Sequence, residues 1–422
     1  MDGPQGLASR LTGGPHFGLY RSSFALMATT ISNAALGMLF WVAAARLYPV
    51  EVVGAGAGGI SALQLVATVG WVSLQFTLMR YVPIAGIRRV RLVLATYVVG
   101  VAAAVLAAGL FLAFFAEQSN VGFIASSPLG SAAFVVGAAF WVATSLQDPV
   151  LVGIGRALLV TVENVIFGLL KLGLLVAFVG TPEPWTFLGV WLAATVVVVV
   201  LITGVLVRHV PDGSASQLPP LGVLARFSTG HTGVALASWL PEFVVPLIML
   251  GMLGPEANAH YFGAWTVAFA ARTLVANMAS ALTVEAASRT DSFGRLARSS
   301  MRLAVWVLTP IIAVLVLGAE PILRLFGPSY VDAAPLLRLY ALSIIPSAVV
   351  AYVVARDRDN HRFGDALIIT ASGSAVALLL DLVLIPVAGV TGAGIGWLLG
   401  QSLAAMIAVA TTRPFRERRR AA

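Results

Sequence analysis

The chain has 422 residues, of which 59% are hydrophobic and only 10% are charged, and its mean hydropathy is +0.94. Ordinary soluble domains are about 25% charged, so this composition excludes a soluble globular protein and indicates a polytopic membrane protein. The absence of cysteine excludes a disulfide framework, thiolate chemistry and cysteine-ligated metals. A net charge of +8 would suggest a nucleic-acid partner in a soluble protein, but here we interpret it as membrane topology and expect no nucleic-acid partner.

Residues 1–22 lack the apolar core of a signal peptide and are predicted to be a short cytoplasmic tail. Beyond them, hydropathy predicts about twelve transmembrane helices and an all-α fold. The predicted domains are a first six-helix bundle at 23–207, a polar cytoplasmic linker at 208–226, a second six-helix bundle at 227–412 and a basic cytoplasmic tail at 413–422. The predicted spans are 23–45, 52–79, 90–116, 130–155, 157–179, 185–207, 227–253, 261–286, 296–318, 333–355, 363–386 and 392–412.

The positions of the basic residues predict the orientation of the chain. With the N-terminus inside, all but five of the 26 lysines and arginines fall on cytoplasmic segments. Arg46, Arg324 and Arg338 fall on the outer side, and Lys171 and Arg272 fall within spans. By the positive-inside rule, both termini are therefore predicted to be cytoplasmic.

The fifth span contains a lysine, a glutamate and an asparagine. Lys171, the only lysine, follows Asn164 and Glu163 on one broad face of the helix. We interpret Lys171 either as a cavity cation facing an anionic substrate, with Asn164 beside it, or as a member of a structural ion pair.

Asp148 and Glu163 flank the predicted cytoplasmic turn at Arg156 and share a depth. Two carboxylates held near each other could carry a proton or a sodium ion, which makes this pair a candidate site for ion coupling. The alternative is that both side chains reach the inner headgroup zone while Pro149 kinks the helix. No other cofactor and no metal site are expected.

Opposite charges lie at the same predicted depth in the seventh and eighth spans, since Glu242 and Arg272 are equally far from Ala257 at the turn. A lone charge at mid-membrane costs from about 3 to more than 10 kcal/mol depending on the method, so such residues face a protein interior or a wet cavity. Arginine suits phosphate oxygens, so Arg272 is predicted to bind an anionic substrate, unless it is only a structural partner of Glu242. Glu242 is either the resting partner of Arg272 or a cation site.

Asp381, near the end of the eleventh span, is predicted to be structural and to snorkel outward.

The two halves have matching topology and are predicted to be parallel repeats with a site at their interface near the midplane. Several stretches then resemble the polysaccharide-exporter and flippase branch of the multidrug/oligosaccharidyl-lipid/polysaccharide (MOP) superfamily. They are 46–54 (RLYPVEVVG), 80–83 (RYVP), 325–339 (LFGPSYVDAAPLLRL) and 384–396 (LIPVAGVTGAGIG).

This resemblance implies two six-helix bundles, MATE/MOP-like, in a V around a central cavity. Members of the branch move lipid-linked oligosaccharides from the inner to the outer leaflet, and Arg272 corresponds in role to their cavity arginine. Glu285 follows Val284 where the family commonly has a proline. The chain also lacks the two further spans of the lipid II flippases.

Taken together, these features predict a non-enzymatic transporter that flips a lipid-linked oligosaccharide or polysaccharide precursor by alternating access. Its expected location is the bacterial cytoplasmic (inner) membrane, and its expected partners are the lipid-linked glycan, membrane lipids and other polysaccharide-assembly proteins. One alternative is a cation-coupled multidrug exporter, which would have cavity acids and aromatic residues without cations. Another is a membrane enzyme of polysaccharide assembly, but the predicted outer loops are short and poor in acid-base pairs.

Overall fold

The computed structural model describes residues 32–118, 120–211, 213–287, 306, 308–359 and 362–421, with side chains described outside 274–287, 358–359 and 412–421. These residues form helices and turns and contain no strand. The tail at 1–22, the role of Glu285 and about half of the ninth predicted span lie outside the described residues. The helices are α1 Ser32–Leu47, α2 Val50–Trp71, α3 Leu74–Tyr81, α4 Arg89–Phe114, α5 Pro128–Gly153, α6 Ala157–Ala177, α7 Pro184–His209, α8 Leu221–Leu253, α9 Pro255–Ala287, α10 Leu308–Leu317, α11 Ala319–Arg324, α12 Ala334–Asp359, α13 Phe363–Ala388 and α14 Val390–Ala421.

Apart from the six-residue helix α11, the described helices account for the twelve predicted spans, with α2 and α3 together covering the second. Nine of them are long and apolar enough to cross a membrane, and α1 and α10 are shorter apolar helices that adjoin residues outside the description. The twelfth is α9, which has 33 residues. The chain is therefore an all-α polytopic membrane protein, as predicted. Three details differ from prediction: the second span is divided into α2 and α3 by a turn, α8 begins within the segment predicted to be linker, and α14 continues through 413–421, which was predicted to be a tail.

Helix α2 is the most enclosed of these spans, with 72% of its apolar window buried, because it packs against both halves. Within the first half it contacts α4, α5 and α7, and across the molecule it contacts α8 and α9. The glycines that begin α2 permit the close approach across the molecule: a Cβ on Gly54 would collide with the backbone carbonyl of Pro255.

The linker between the halves is hydrogen-bonded to the first half through its backbone. The amide of Ile87 donates to the carbonyl of Ser214 at 2.9 Å, and the amide of Gln217 donates to the carbonyl of Ile84 at 3.0 Å. Gly86, which lies between Ile84 and Ile87, has a φ of +49°, which glycine adopts without strain. Most of the linker is thus attached to the first half, and Pro220 marks the point where α8 begins.

Candidate functional site

A cavity of about 450 Å³ lies within the second half, bordered by α8, α9, α12, α13 and α14. Among the described residues of the first half, Phe76 alone lines it. The sequence predicted a site at the interface between the halves, so the cavity is displaced toward the second half. Aromatic rings and short polar side chains form most of its wall, and Glu242 and Arg272 are the charged residues among its lining.

Glu242 and Arg272 form the ion pair that their equal depth predicted. The Nη2 of Arg272 donates to Oε1 of Glu242 at 2.7 Å. The indole Nε1 of Trp265 donates to the other carboxylate oxygen, Oε2, at 2.8 Å. The guanidinium carbon of Arg272 also lies 4.5 Å from the ring centroid of Trp397. Both carboxylate oxygens therefore have donors, and the guanidinium is held by a charge and an aromatic face.

The two partners differ in how much of each faces the cavity. The Glu242 side chain is 4% exposed, whereas that of Arg272 is 21% exposed. A guanidinium has five N–H donors, and the pair with Glu242 uses one nitrogen. Arg272 can therefore offer donors to a ligand in the cavity.

Local sequence explains how α8 presents Glu242. Pro241, the preceding residue, lies inside the helix and has no N–H, so the carbonyl of Ala237 has no donor within the helix. The hydroxyl of Ser374 on α13 donates to that carbonyl at 2.6 Å. This bond joins α13 to α8 one turn from Glu242 and compensates the break caused by the proline.

Aromatic rings from both halves meet at the end of the cavity that is predicted to face the cytoplasm. Phe76 lines the cavity and stacks on His231 of α8, with ring centroids 4.6 Å apart. His231 also contacts Phe227 and Phe363, each at 4.7 Å. We call these four residues the inner ring cluster, and it connects α3 of the first half to α8 and α13 of the second.

Polar contacts join the halves at the opposite end, which is predicted to be the outer side. Arg46 donates to the backbone carbonyls of Leu325 at 2.8 Å and Arg324 at 2.5 Å, so it satisfies carbonyls at the end of α11. Asn258 donates to the carbonyl of Gly54 at 2.7 Å. In this structure the halves are therefore in contact both above and below the cavity.

A second polar cluster, in the first half, brings Asp148, Glu163 and Asn164 together. Asp148 lies close enough to both of the other residues for their side chains to interact. Thr144 donates to Glu163 Oε1 at 3.1 Å, and Asn33 donates to Asn164 Oδ1 at 3.1 Å. Glu163 is 3% exposed, so it does not reach a headgroup zone. Oδ1 of Asp148 and Oε2 of Glu163 have no hydrogen-bond partner within the described residues.

Lys171 lies outside the cavity, in the first half. Its ammonium is surrounded by the rings of Trp191 at 4.4 Å, Phe167 at 5.0 Å and Phe40 at 5.1 Å. The side chain is buried, and no ion-pair partner for it is found in the described part of the chain. Lys171 and Asn164 therefore do not line the cavity that contains Arg272 and Glu242, because α6 turns these two residues toward α1 and α7. Their contact with a substrate stays a prediction.

Asp381 is a buried residue whose environment the sequence did not predict. It is 1% exposed and does not snorkel outward. The space for its carboxylate exists because residue 396 is glycine: a Cβ there would collide with Oδ1 of Asp381. Nearby, the hydroxyl of Tyr340 donates to that of Tyr261 at 3.3 Å. The signal that could have indicated this burial is the glycine repeat at Gly392, Gly396 and Gly400, which faces α13.

The chain matches no known family model and no curated protein sequence. Its fold is similar to several solved structures. It aligns with the lipid II flippase MurJ in an inward closed conformation at a TM-score of 0.72 and 11% identity, covering 92% of this chain and 87% of that one. It aligns with an inward-facing multidrug resistance MATE family transporter of the MOP superfamily at a TM-score of 0.67 and 16% identity, covering 93% and 97%.

A third similar structure is a MOP superfamily transporter from Pyrococcus furiosus whose binding pocket is described as having reverse polarity. The TM-score is 0.59 at 14% identity, with 96% of each chain covered. At these identities the likeness shows the fold alone. The chain therefore has a MATE/MOP-like fold, as the sequence predicted.

Proposed function

We propose that this chain with a MATE/MOP-like fold is a transporter that moves a lipid-linked oligosaccharide or polysaccharide precursor from the inner to the outer leaflet by alternating access. The observation that carries the proposal is Arg272, a mid-span guanidinium that is partly exposed inside a cavity. A lipid-linked sugar carries phosphate charge that must leave water and pass a low-dielectric layer. A fixed cation in the cavity lowers that cost, and a guanidinium can bind two phosphate oxygens at once.

The remaining wall of the cavity suits a sugar next to the phosphate. Trp239 and Trp397 supply flat aromatic faces, and Gln401 and Ser347, joined at 3.2 Å, supply polar groups. At about 450 Å³ the cavity lies in the lower part of the range of about 300–1,000 Å³ that small-ligand sites occupy. In this conformation it therefore fits a compact head group, and the lipid tail would remain in the membrane.

Alternating access is supported by the contacts at the two ends of the cavity. The inner ring cluster and the polar contacts of Arg46 and Asn258 each join one half to the other. Opening either set alone would connect the cavity to one side of the membrane. We also propose that the protein lies in the bacterial inner membrane with both termini cytoplasmic. The distribution of its basic residues supports this orientation.

For ion coupling we propose the Asp148–Glu163 pair in the first half, with a proton or sodium ion as the coupling ion. The two unpartnered carboxylate oxygens support this assignment. Lys171 and Asn164 have no assigned contact with substrate, because neither lines the cavity. No chemical step on the substrate is proposed, so the protein acts as a transporter and not as an enzyme.

The second candidate is a cation-coupled multidrug exporter, which the buried Glu242 and the aromatic cavity wall favour. Native mass spectrometry of gently purified protein separates the two. Retention of a lipid-linked sugar, lost in Arg272→Ala, supports the flippase. Retention of hydrophobic cations and no lipid-linked sugar would support the exporter.

A further inference from the structure

We propose that Glu242 is an internal competitor for the anion site: it neutralises Arg272 while the cavity is empty, and an arriving anionic group must overcome it. The inference rests on the proposed function, since it takes Arg272 as the anion-binding residue. It goes further by assigning opposite effects on binding to two residues of one ion pair.

The geometry fixes the carboxylate and leaves the guanidinium accessible. Arg272 and Trp265 lie two turns apart on α9 and hold different oxygens of Glu242, which belongs to α8. Trp265 is itself fixed by its stacking on Phe269, with centroids 4.8 Å apart. Trp265 is therefore a positioning residue: it keeps Glu242 beside Arg272 whether or not the cavity contains a ligand.

An empty cavity needs this counter-charge. A buried cation without a partner destabilises a protein strongly, because its desolvation is not compensated. The described lining of the cavity contains one carboxylate and one cation, so Glu242 is the group that compensates Arg272 when no substrate is present. The empty transporter can then change conformation with a neutral pair inside it.

The same carboxylate weakens the binding of an anion. A phosphate that approaches Arg272 meets the negative charge of Glu242 a few ångströms away, at an effective dielectric far below that of water. Replacing the carboxylate by its neutral amide should therefore raise anion affinity by about tenfold to a hundredfold. Tighter binding should also slow release, so a variant without the charge should bind better and transport more slowly.

Titration calorimetry with inorganic pyrophosphate, on the full chain in detergent at fixed ionic strength, tests this. We expect Glu242→Gln to bind more tightly than wild type by at least tenfold, and Arg272→Ala to bind at least tenfold less tightly. Glu320→Gln is the matched control. Glu320 also pairs with an arginine, Arg338 at 2.9 Å, but Glu320 does not line the cavity. The pyrophosphate affinity of Glu320→Gln should therefore equal that of wild type.

The outcomes separate the inference from the proposed function. Weaker binding in Arg272→Ala without tighter binding in Glu242→Gln would overturn the competitor role alone. Equal binding in Arg272→Ala and wild type, or no binding in wild type and Glu242→Gln alike, would overturn anion binding by Arg272 and the proposed function with it.

A second variant covers a failure of Glu242→Gln to fold. Trp265→Phe keeps an aromatic ring against Phe269 and both charges, and it removes the N–H donor to Glu242 together with part of the indole ring. A less firmly held carboxylate should compete less well, so affinity should rise by about twofold to fivefold. If Trp265→Phe binds pyrophosphate as tightly as wild type does, the positioning role of Trp265 is contradicted. If Glu242→Gln also fails to fold, the same result contradicts the proposal as a whole.

Discussion

The side chain of Asn258 in the second half donates to the backbone carbonyl of Gly54 in the first half at 2.7 Å. The backbone of Gly54 also packs closely against the carbonyl of Pro255 in the second half, where an added Cβ would collide with it. One glycine therefore permits both the close packing and the hydrogen bond that hold this end of the cavity closed.

The first prediction concerns that closure. Gly54→Ala should keep the outer ends apart, because the added Cβ would collide with the Pro255 carbonyl. The chain has no cysteine, so Thr273→Cys in the cavity provides a single labelling site. We expect an impermeant thiol reagent, added from outside, to label it several-fold faster when Gly54→Ala is present. In the control, Gly109→Ala, the new methyl meets nothing within 4 Å, and an acceleration of labelling there too would contradict the explanation.

A second prediction concerns transport and the chemistry of Arg272. Arg272→Ala should reduce flipping at least tenfold, measured as lipid-linked sugar that accumulates in the inner leaflet of cells. Arg272→Lys should recover only part of the activity, because the charge is kept and the planar fork is lost. Arg338→Ala, which breaks an ion pair outside the cavity, is the control and should transport normally. Normal transport by well-expressed Arg272→Ala would leave the residue with a structural role only.

Third, reversing the charges of the central pair should reveal their contact. Glu242→Arg and Arg272→Glu should each lower the yield of folded protein, since each leaves two like charges buried together. The double reversal should restore part of that yield, shown as a coupling energy of about 1 kcal/mol or more in a double-mutant cycle. Recovery stays incomplete because the Trp265 N–H would then face an arginine, which accepts no hydrogen bond. Strictly additive losses would show that the two residues do not interact.

The fourth prediction tests ion coupling in the first half. Glu163→Gln keeps an oxygen that can accept from Thr144 but removes the titratable charge beside Asp148. Transport by this variant should no longer respond to an imposed proton or sodium gradient, whereas wild type should respond. Glu183→Gln, a change at an exposed position before α7, should respond like wild type. An unchanged response in Glu163→Gln would remove this cluster from the coupling mechanism.

A fifth prediction concerns stability near the kink in α8. Ser374→Ala should lower stability by about 1 kcal/mol, because the Ala237 carbonyl loses the donor that replaces the missing N–H of Pro241. Ser402→Ala is the control, since the hydroxyl of Ser402 donates to a carbonyl within its own helix. Equal losses in the two variants, measured by thermal unfolding in detergent, would contradict the special role of Ser374.

The amino-acid sequence by itself determined the membrane-spanning helices and the equal distance of Glu242 and Arg272 from the turn between their helices. Hydrophobic length predicts a spanning helix because an apolar segment must satisfy its backbone hydrogen bonds internally in lipid. Depth follows from counting residues along a helix of known rise, which is why the contact between Glu242 and Arg272 could be predicted from their equal distance to the turn.

Only the tertiary structure decided which way each buried polar residue faces and where the cavity lies. Lys171 has a mid-span position much like that of Arg272. Three aromatic rings surround the ammonium of Lys171, whereas the guanidinium of Arg272 borders a cavity. Asp381 is buried because a glycine on α14, distant from it along the chain, leaves room for its carboxylate. Depth is a property of one helix, but the direction of a side chain depends on the shape of neighbouring helices, and that shape exists only once the helices have packed together.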